Sequence, residues 1–104
     1  MMQLLAALAA AMAIAAGAFG AHGVSGVEAE WLKTGAMYQL IHAVAFLSIF
    51  EKAKGPALLM LGGSALFAIT LYLMAFGAPR WFGAITPIGG AAMIAAWLWF
   101  AFRR

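Results

Sequence analysis

Residues 56–78 read PALLMLGGSALFAITLYLMAFGA, a run of 23 residues without a charged side chain. An α-helix rises about 1.5 Å per residue, so this run is long enough to cross a hydrocarbon core of about 30 Å. Three comparable runs lie at residues 2–21, 31–50 and 83–102. We therefore predict an all-α fold, an integral membrane bundle of four transmembrane helices that form a single domain over residues 1–104.

The composition supports a membrane protein. Hydrophobic residues make up 67% of the chain and charged residues only 9%, whereas soluble domains carry about 25% charged residues. A bilayer accepts such an apolar surface. The net charge of +3 arises from six Lys and Arg against three acidic residues. These cations lie at the ends of the runs, which favours a role in membrane topology, so we expect no nucleic-acid partner.

The distribution of cations predicts the orientation. Four basic residues belong to one side of the membrane and two to the other: Lys52, Lys54, Arg103 and Arg104 against Lys33 and Arg80. The positive-inside rule places the first group, and with it both termini, in the cytoplasm. No Lys or Arg precedes Lys33, so the first run lacks the basic segment of a signal peptide, and we expect it to be retained as a helix.

Local motifs indicate helix ends and packing. Ser25 with Glu28 three residues later matches a capping box, and Thr86 followed by Pro87 is typical of an N-cap and the first helical turn. Small residues allow the close approach of helix backbones in lipid. We therefore predict a set of packing positions at Gly17, Gly20, Thr86, Pro87, Gly89 and Gly90.

Three sequence blocks are similar to a known family. They are GAFGAHG at 17–23, W-x-x-T-x-x-x-Y-Q-x-x-H at 31–42 and ITPIGG at 85–90. On these blocks the chain resembles the YgdD/YwdK family of small inner-membrane proteins of unknown function, which has eukaryotic transmembrane relatives. The resemblance covers nearly the whole chain. It implies the four-helix fold and a multi-pass location in the bacterial inner membrane, and it implies no reaction.

Polar residues of the second run share one helix face. Tyr38, Gln39 and His42 lie at spacings typical of a helix, and Gln39 and His42 fall near the middle of the run. Thr70 and Tyr72 of the third run have a similar predicted depth. Polar groups in hydrocarbon need partners. We predict a polar pocket of these five residues in the outer half of the bundle. A closed hydrogen-bond network that links helices is the alternative.

His22 and Glu28 are predicted to belong to an outer loop and helix cap. A cation at His22 would suit the C-terminus of the first helix, and pairing with Glu28 or Glu30 is the alternative. His22 and His42 are offset by about 12–15 Å along the membrane normal, at 1.5 Å per residue, so one metal ion cannot bind both. The chain also has no Cys. We therefore expect no metal site and no cofactor.

These residues favour a protein without enzymatic activity. No carboxylate lies within a run to partner His42 in the manner of a hydrolase. The leading interpretation is a structural, lipid-binding or assembly role, with membrane lipids as partners. A homo-oligomer or another membrane protein is the further expected partner. The alternative is a small transporter or channel component for a small polar solute or a proton, which would use the pocket at Gln39 and His42.

Overall fold

The computed structural model describes residues 2–103. Within them it contains four α-helices, a short 3-10 helix and no strand, which confirms the predicted all-α fold. The elements are α1 Met2–His22, α2 Gly26–Ile49, α3 Lys54–Ala75, the 3-10 helix Arg80–Ala84 and α4 Thr86–Phe102.

The helices form an open row and not a closed ring. Each helix packs against the next one along the chain, and α1 also touches α3 slightly. In the described part of the chain, the backbones of α2 and α4 do not pack against each other. The bundle measures 44 × 25 × 19 Å along its principal axes. We call the end with the α1–α2 loop the outer end and the opposite one the inner end.

The chain is an integral membrane protein. Within residues 2–103, three helical stretches are long and apolar enough to cross a membrane, namely Met2–His22, Lys54–Ala75 and Arg80–Phe102. The helix α2 differs because it carries charges in its outer turns and two polar side chains, Gln39 and His42, further along. Those two side chains are buried against the other helices. The exterior of α2 in its inner two-thirds is therefore also apolar, with Ile41, Val44 and Leu47 exposed.

Two helix starts differ from the predicted caps. Ser25 precedes α2 in an extended conformation with φ of −141°, but its side chain makes no capping hydrogen bond. Thr86 is the first residue of α4 and not its N-cap, which is Ile85. The Thr86 hydroxyl is engaged by Thr70 of α3 at 2.7 Å, so it does not cap its own helix. Pro87 lies in the first turn of α4, as predicted.

Small residues bring α1 close to α2. The buried residues of α1 recur every seventh position, at Ala6, Ala13 and Gly20, the period of a left-handed helix pair. A Cβ atom placed on Gly20 would lie 2.9 Å from the Leu32 Cβ, inside the usual contact distance. Gly20 is therefore required by the packing of α1 on α2 and not by its backbone conformation.

The helices α3 and α4 approach through one glycine of each helix, Gly63 of α3 and Gly89 of α4. A Cβ atom on Gly89 would lie 2.5 Å from the Phe67 amide nitrogen and 2.7 Å from the Gly63 carbonyl oxygen. A Cβ on Gly90 would lie 3.7 Å from the Phe67 ring, an ordinary contact. The predicted close approach at Gly90 is therefore wrong, because neighbouring residues of a helix point about 100° apart and only Gly89 faces the backbone of α3.

Cation–aromatic contacts mark the two ends. The Arg80 guanidinium lies 5.4 Å from the Trp31 ring centroid at the outer end. At the inner end, the Lys54 ammonium lies 5.4 Å from the Phe50 ring centroid and Arg103 lies 5.2 Å from that of Phe100. These three cations thus lie at the ends of the bundle to which the predicted orientation assigns them. Arg104, the fourth cation of the predicted cytoplasmic side, lies outside the described residues.

This separation makes the orientation testable with reporter fusions. A reporter that is active only in the cytoplasm should be active after Arg104 and inactive when inserted at Ser25, in the α1–α2 loop. A reporter that is active only outside should give the reverse pattern. Outside activity after Arg104 together with cytoplasmic activity at Ser25 would overturn the predicted orientation.

Candidate functional site

Two polar side chains of α2, Gln39 and His42, are buried and paired. Gln39 is 2% exposed and His42 is 4% exposed. Within residues 2–103, no buried side-chain nitrogen or oxygen atom lacks a hydrogen-bond partner. This is the arrangement expected in hydrocarbon, where an unpaired polar group costs several kcal/mol.

The first polar cluster joins three helices around Gln39. The Tyr72 hydroxyl of α3 donates a hydrogen bond of 2.7 Å to the Gln39 Oε1 atom. The Gln39 Nε2 atom in turn donates to the sulfur of Met12 on α1 at 3.7 Å. Side chains of a helix lean toward its N-terminus, so Tyr72 reaches from the outer part of α3 toward the middle of α2.

The second polar cluster joins α2 to α4 through His42. The Trp97 Nε1 atom lies 2.9 Å from the His42 Nε2 atom, and the His42 Nδ1 atom lies 2.7 Å from the Tyr38 carbonyl oxygen. An indole N–H can only donate and a carbonyl oxygen can only accept. Both contacts are satisfied by one tautomer, the neutral imidazole with its proton on Nδ1. This tautomer is assigned from the contacts.

The third polar cluster lies at the outer end, between α3 and α4. The hydroxyls of Thr70 and Thr86 are 2.7 Å apart. Thr70 also donates to the carbonyl oxygens of Leu66 and Phe67, both at 3.0 Å; a single hydroxyl proton is shared between such acceptors or moves among them. This cluster fixes the start of α4 against α3.

The predicted five-residue pocket is thus divided among three clusters. Tyr72 meets Gln39, Thr70 meets Thr86, and His42 meets Trp97. His42 lies roughly 7 Å inward of the midpoint of α2, about four to five residues beyond it. The prediction that His42 and Gln39 share one pocket is therefore wrong, because His42 bonds to Trp97 of α4 whereas Gln39 bonds to Tyr72 of α3 and Met12 of α1.

A groove lies beside the His42 cluster, on the surface of the bundle. Its cavity volume is about 310 Å³. We call it the lateral groove, and it is lined by Tyr38 and His42 of α2, Phe67 of α3, and Gly90, Met93, Ile94 and Trp97 of α4. The helices α2 and α4 form its walls, since their backbones stay apart, and α3 forms its floor. The rings of Tyr38 and Phe67 pack edge to face there, with centroids 5.0 Å apart.

Two further cavities occur elsewhere. One of about 360 Å³ lies between α1 and α3 and is lined by apolar residues that include Leu61 and Gly62. The other, of about 420 Å³, lies at the inner end where Gln3 and Glu51 meet Phe46 and Phe50. Of the three cavities, only the lateral groove is lined by residues of a buried polar cluster.

The predicted outer residues stay separate from these clusters. His22 is exposed in the last turn of α1, and Glu28 lies in the first turn of α2, where a carboxylate suits the helix dipole. In the described residues, the single ion pair joins Lys33 to Glu30 at 3.5 Å, and His22 pairs with neither glutamate. Because this pair is exposed, it contributes about 0–1 kcal/mol.

Sequence reasoning missed Met12, Phe67 and Trp97. One signal was available for Trp97, because an indole N–H within an apolar run needs a hydrogen-bond acceptor. No comparable signal exists for Met12 or Phe67, since each is an ordinary apolar residue whose role depends on which helix lies opposite.

Comparisons with known proteins agree with the fold. The model of a family described as "Protein of unknown function (DUF423)" matches residues 16–90. The chain is 32% identical over 79 residues to the UPF0382 inner membrane protein YgdD of Escherichia coli, which covers 68% of this chain and 60% of the relative. It is 38% identical over 79 residues to a UPF0382 membrane protein of Haemophilus influenzae, with 69% and 64% covered.

A third relative comes from Bacillus subtilis. The UPF0382 membrane protein YwdK of Bacillus subtilis is 37% identical over 76 residues, which covers 62% of this chain and 60% of the relative. The chain thus spans 60–64% of the length of these three relatives. No solved structure matches the chain significantly.

Proposed function

Because this chain belongs to the DUF423 family of membrane proteins of unknown function, we propose its role from its own geometry: it holds a membrane-dissolved molecule in the lateral groove and catalyses no reaction. The observation that carries this proposal is the groove itself, an open space between α2 and α4 with a single buried polar cluster on its wall.

The lining of the groove suits a small ligand. Sites for small molecules are mostly apolar, contain few polar groups and have volumes of about 300–1,000 Å³. The lateral groove, at about 310 Å³, is lined by three aromatic rings, a methionine and an isoleucine around one imidazole. All lining residues belong to α2, α3 or α4, and none to a loop. A ligand would therefore enter sideways from the lipid.

Two features keep the groove open. Gly90 has no side chain to fill it, and a Cβ there would meet only the Phe67 ring, at 3.7–3.8 Å. The hydrogen bond between Trp97 and His42 spans the gap between α4 and α2 and bounds the groove toward the inner end. The groove is thus bounded by the hydrogen bond between Trp97 and His42, and it stays open where Gly90 has no side chain.

The transport alternative is less well supported by these contacts. A path for protons or solutes through His42 would need a ring nitrogen free to exchange a proton or bind a solute. Both ring nitrogens are engaged, one with Trp97 and one with the Tyr38 carbonyl. Gln39 is likewise engaged at both ends of its amide. Binding in the lateral groove leaves these bonds intact.

The proposal is testable with a photoreactive stearic acid that carries its diazirine near mid-chain. In nanodiscs, labelling of α4 at Met93 and Ile94 should be saturable by unlabelled stearic acid. The substitution Gly90→Phe should fill the groove and abolish saturable labelling. The matched control Gly62→Phe enters the cavity between α1 and α3, where no atom lies within 4 Å of a new Cβ.

The control should retain saturable labelling of α4, because the lateral groove is unchanged. Equal saturable labelling of α4 in the wild-type chain and in Gly90→Phe would contradict the proposal. The helix content of each variant, measured by circular dichroism, shows whether the fold is retained.

A further inference from the structure

We infer that the ligand of the lateral groove is a hydrocarbon-soluble ring with a carbonyl oxygen, of the quinone class, and that the Tyr38 hydroxyl donates a hydrogen bond to that oxygen. The inference rests on the proposed function and specifies its ligand. It concerns binding alone and includes no electron transfer.

The polar group of the lateral groove that is left unpaired within residues 2–103 is the Tyr38 hydroxyl. Tyr38 lies at the midpoint of α2 and lines the groove. In the described part of the chain, its hydroxyl makes no hydrogen bond, whereas the hydroxyl of Tyr72 is paired with Gln39. A phenol hydroxyl in hydrocarbon is costly without a partner. A ligand with an oxygen acceptor at this depth would supply that partner.

The other polar groups of the groove restrict the ligand further. The indole N–H of Trp97 and both ring nitrogens of His42 are already engaged. The groove therefore offers one free polar group, a neutral hydroxyl, and no charged side chain. This complements a neutral carbonyl oxygen better than a phosphate, a carboxylate or an ammonium group.

Depth separates a ring carbonyl from the carbonyls of phospholipids. Phospholipid esters and headgroups lie at the edges of a hydrocarbon core of about 30 Å, so they stay roughly 15 Å from the midpoint of a spanning helix. The ring of Tyr38 packs 5.0 Å from that of Phe67, the central residue of the uncharged run 56–78, so its hydroxyl lies inside the hydrocarbon core. Its acceptor must belong to a molecule that is soluble in the hydrocarbon core as a whole.

The walls of the groove suit a flat ring. Aromatic rings interact favourably with other rings in stacked or edge-to-face arrangements, and the groove presents the rings of Tyr38, Phe67 and Trp97. Met93 adds a thioether, which also makes favourable contacts with rings. The side of the groove that is open to lipid leaves room for a hydrocarbon tail.

The inference is tested with two probes that share a tail: a benzoquinone with a decyl chain, and decylbenzene, which lacks the carbonyls. Binding to the full chain in nanodiscs is measured by equilibrium dialysis, with empty nanodiscs as the blank. Tyr38→Phe should weaken quinone binding roughly three- to tenfold, the effect of one hydrogen bond. It should leave decylbenzene binding unchanged. The control Tyr72→Phe removes a hydroxyl outside the groove and should affect neither probe.

The outcomes separate the ligand class from the proposed function. If Gly90→Phe abolishes binding of both probes while Tyr38→Phe affects neither, the groove binds lipophilic molecules and the quinone inference is wrong. If Gly90→Phe leaves both probes bound, the inference and the proposed function fail together. If Gly90→Phe instead abolishes self-association of the chain and leaves probe binding intact, the groove is an interface with a second copy, which also overturns the inference.

Discussion

The substitution Gly89→Ala should lower the stability of the bundle far more than Gly90→Ala. The new methyl group would lie 2.5 Å from the Phe67 amide nitrogen and 2.7 Å from the Gly63 carbonyl oxygen. Both atoms belong to the backbone of α3, so no side chain can move aside, and α4 must shift. Overpacking of this kind costs typically about 1–3 kcal/mol, and occasionally more. Thermal unfolding in detergent, followed by circular dichroism, should show a lower midpoint.

The control is the adjacent glycine. A methyl group on Gly90 would lie 3.7 Å from the Phe67 ring, an ordinary contact, and alanine favours a helix over glycine. Gly90→Ala should therefore leave the unfolding midpoint unchanged or slightly higher. Equal losses of stability in the two variants would show that α3 and α4 do not cross at Gly89.

The helices of this fold were predictable from the lengths of the apolar runs. The rise of about 1.5 Å per residue means that about 20 apolar residues form one helix that crosses the hydrocarbon core. The run from residue 56 to residue 78 corresponds to α3, Lys54–Ala75. The start of α2 was less predictable, since its first turns carry Glu28 and Lys33 and lie outside the apolar run. The predicted N-cap at Thr86 was also wrong, because the Thr86 hydroxyl is hydrogen-bonded to the Thr70 hydroxyl of α3 and does not cap α4.

The partners of the polar residues were not predictable from spacing. Periodicity places Gln39 and His42 on one side of α2, about 60° apart. That difference directs Gln39 to α1 and α3 and His42 to α4. The sequence does not say which helix lies next to which face, so it could not separate one pocket from three clusters. The lateral groove could not be predicted for the same reason. It lies where the backbones of α2 and α4 do not pack against each other, and the sequence does not specify that arrangement.

The hydrogen bond between Tyr72 and Gln39 should show strong coupling in a double-mutant cycle. Tyr72→Phe leaves the Gln39 oxygen without its donor, and Gln39→Leu leaves the Tyr72 hydroxyl without its acceptor. An unpaired buried group costs about 1–3 kcal/mol in soluble proteins, but in a membrane the unfolded helices also find partners, so each single variant should lose roughly 1 kcal/mol or less. The double variant leaves neither group, so its stability should lie close to that of the wild-type chain. Measured couplings in membrane helices average about 0.6 kcal/mol and reach about 1.7, and the buried geometry here favours the upper part of that range.

A second cycle distinguishes separate clusters from one shared pocket. Tyr72→Phe combined with Trp97→Phe should be additive within about 0.5 kcal/mol, because the two residues share no partner and lie toward opposite ends of the bundle. Unfolding by a denaturing detergent, followed by circular dichroism, gives the free energy of each variant. Coupling between Tyr72 and Trp97 as large as that between Tyr72 and Gln39 would mean that the clusters act as one site. In that case a ligand bound beside the His42 cluster would also stabilise the Gln39 cluster.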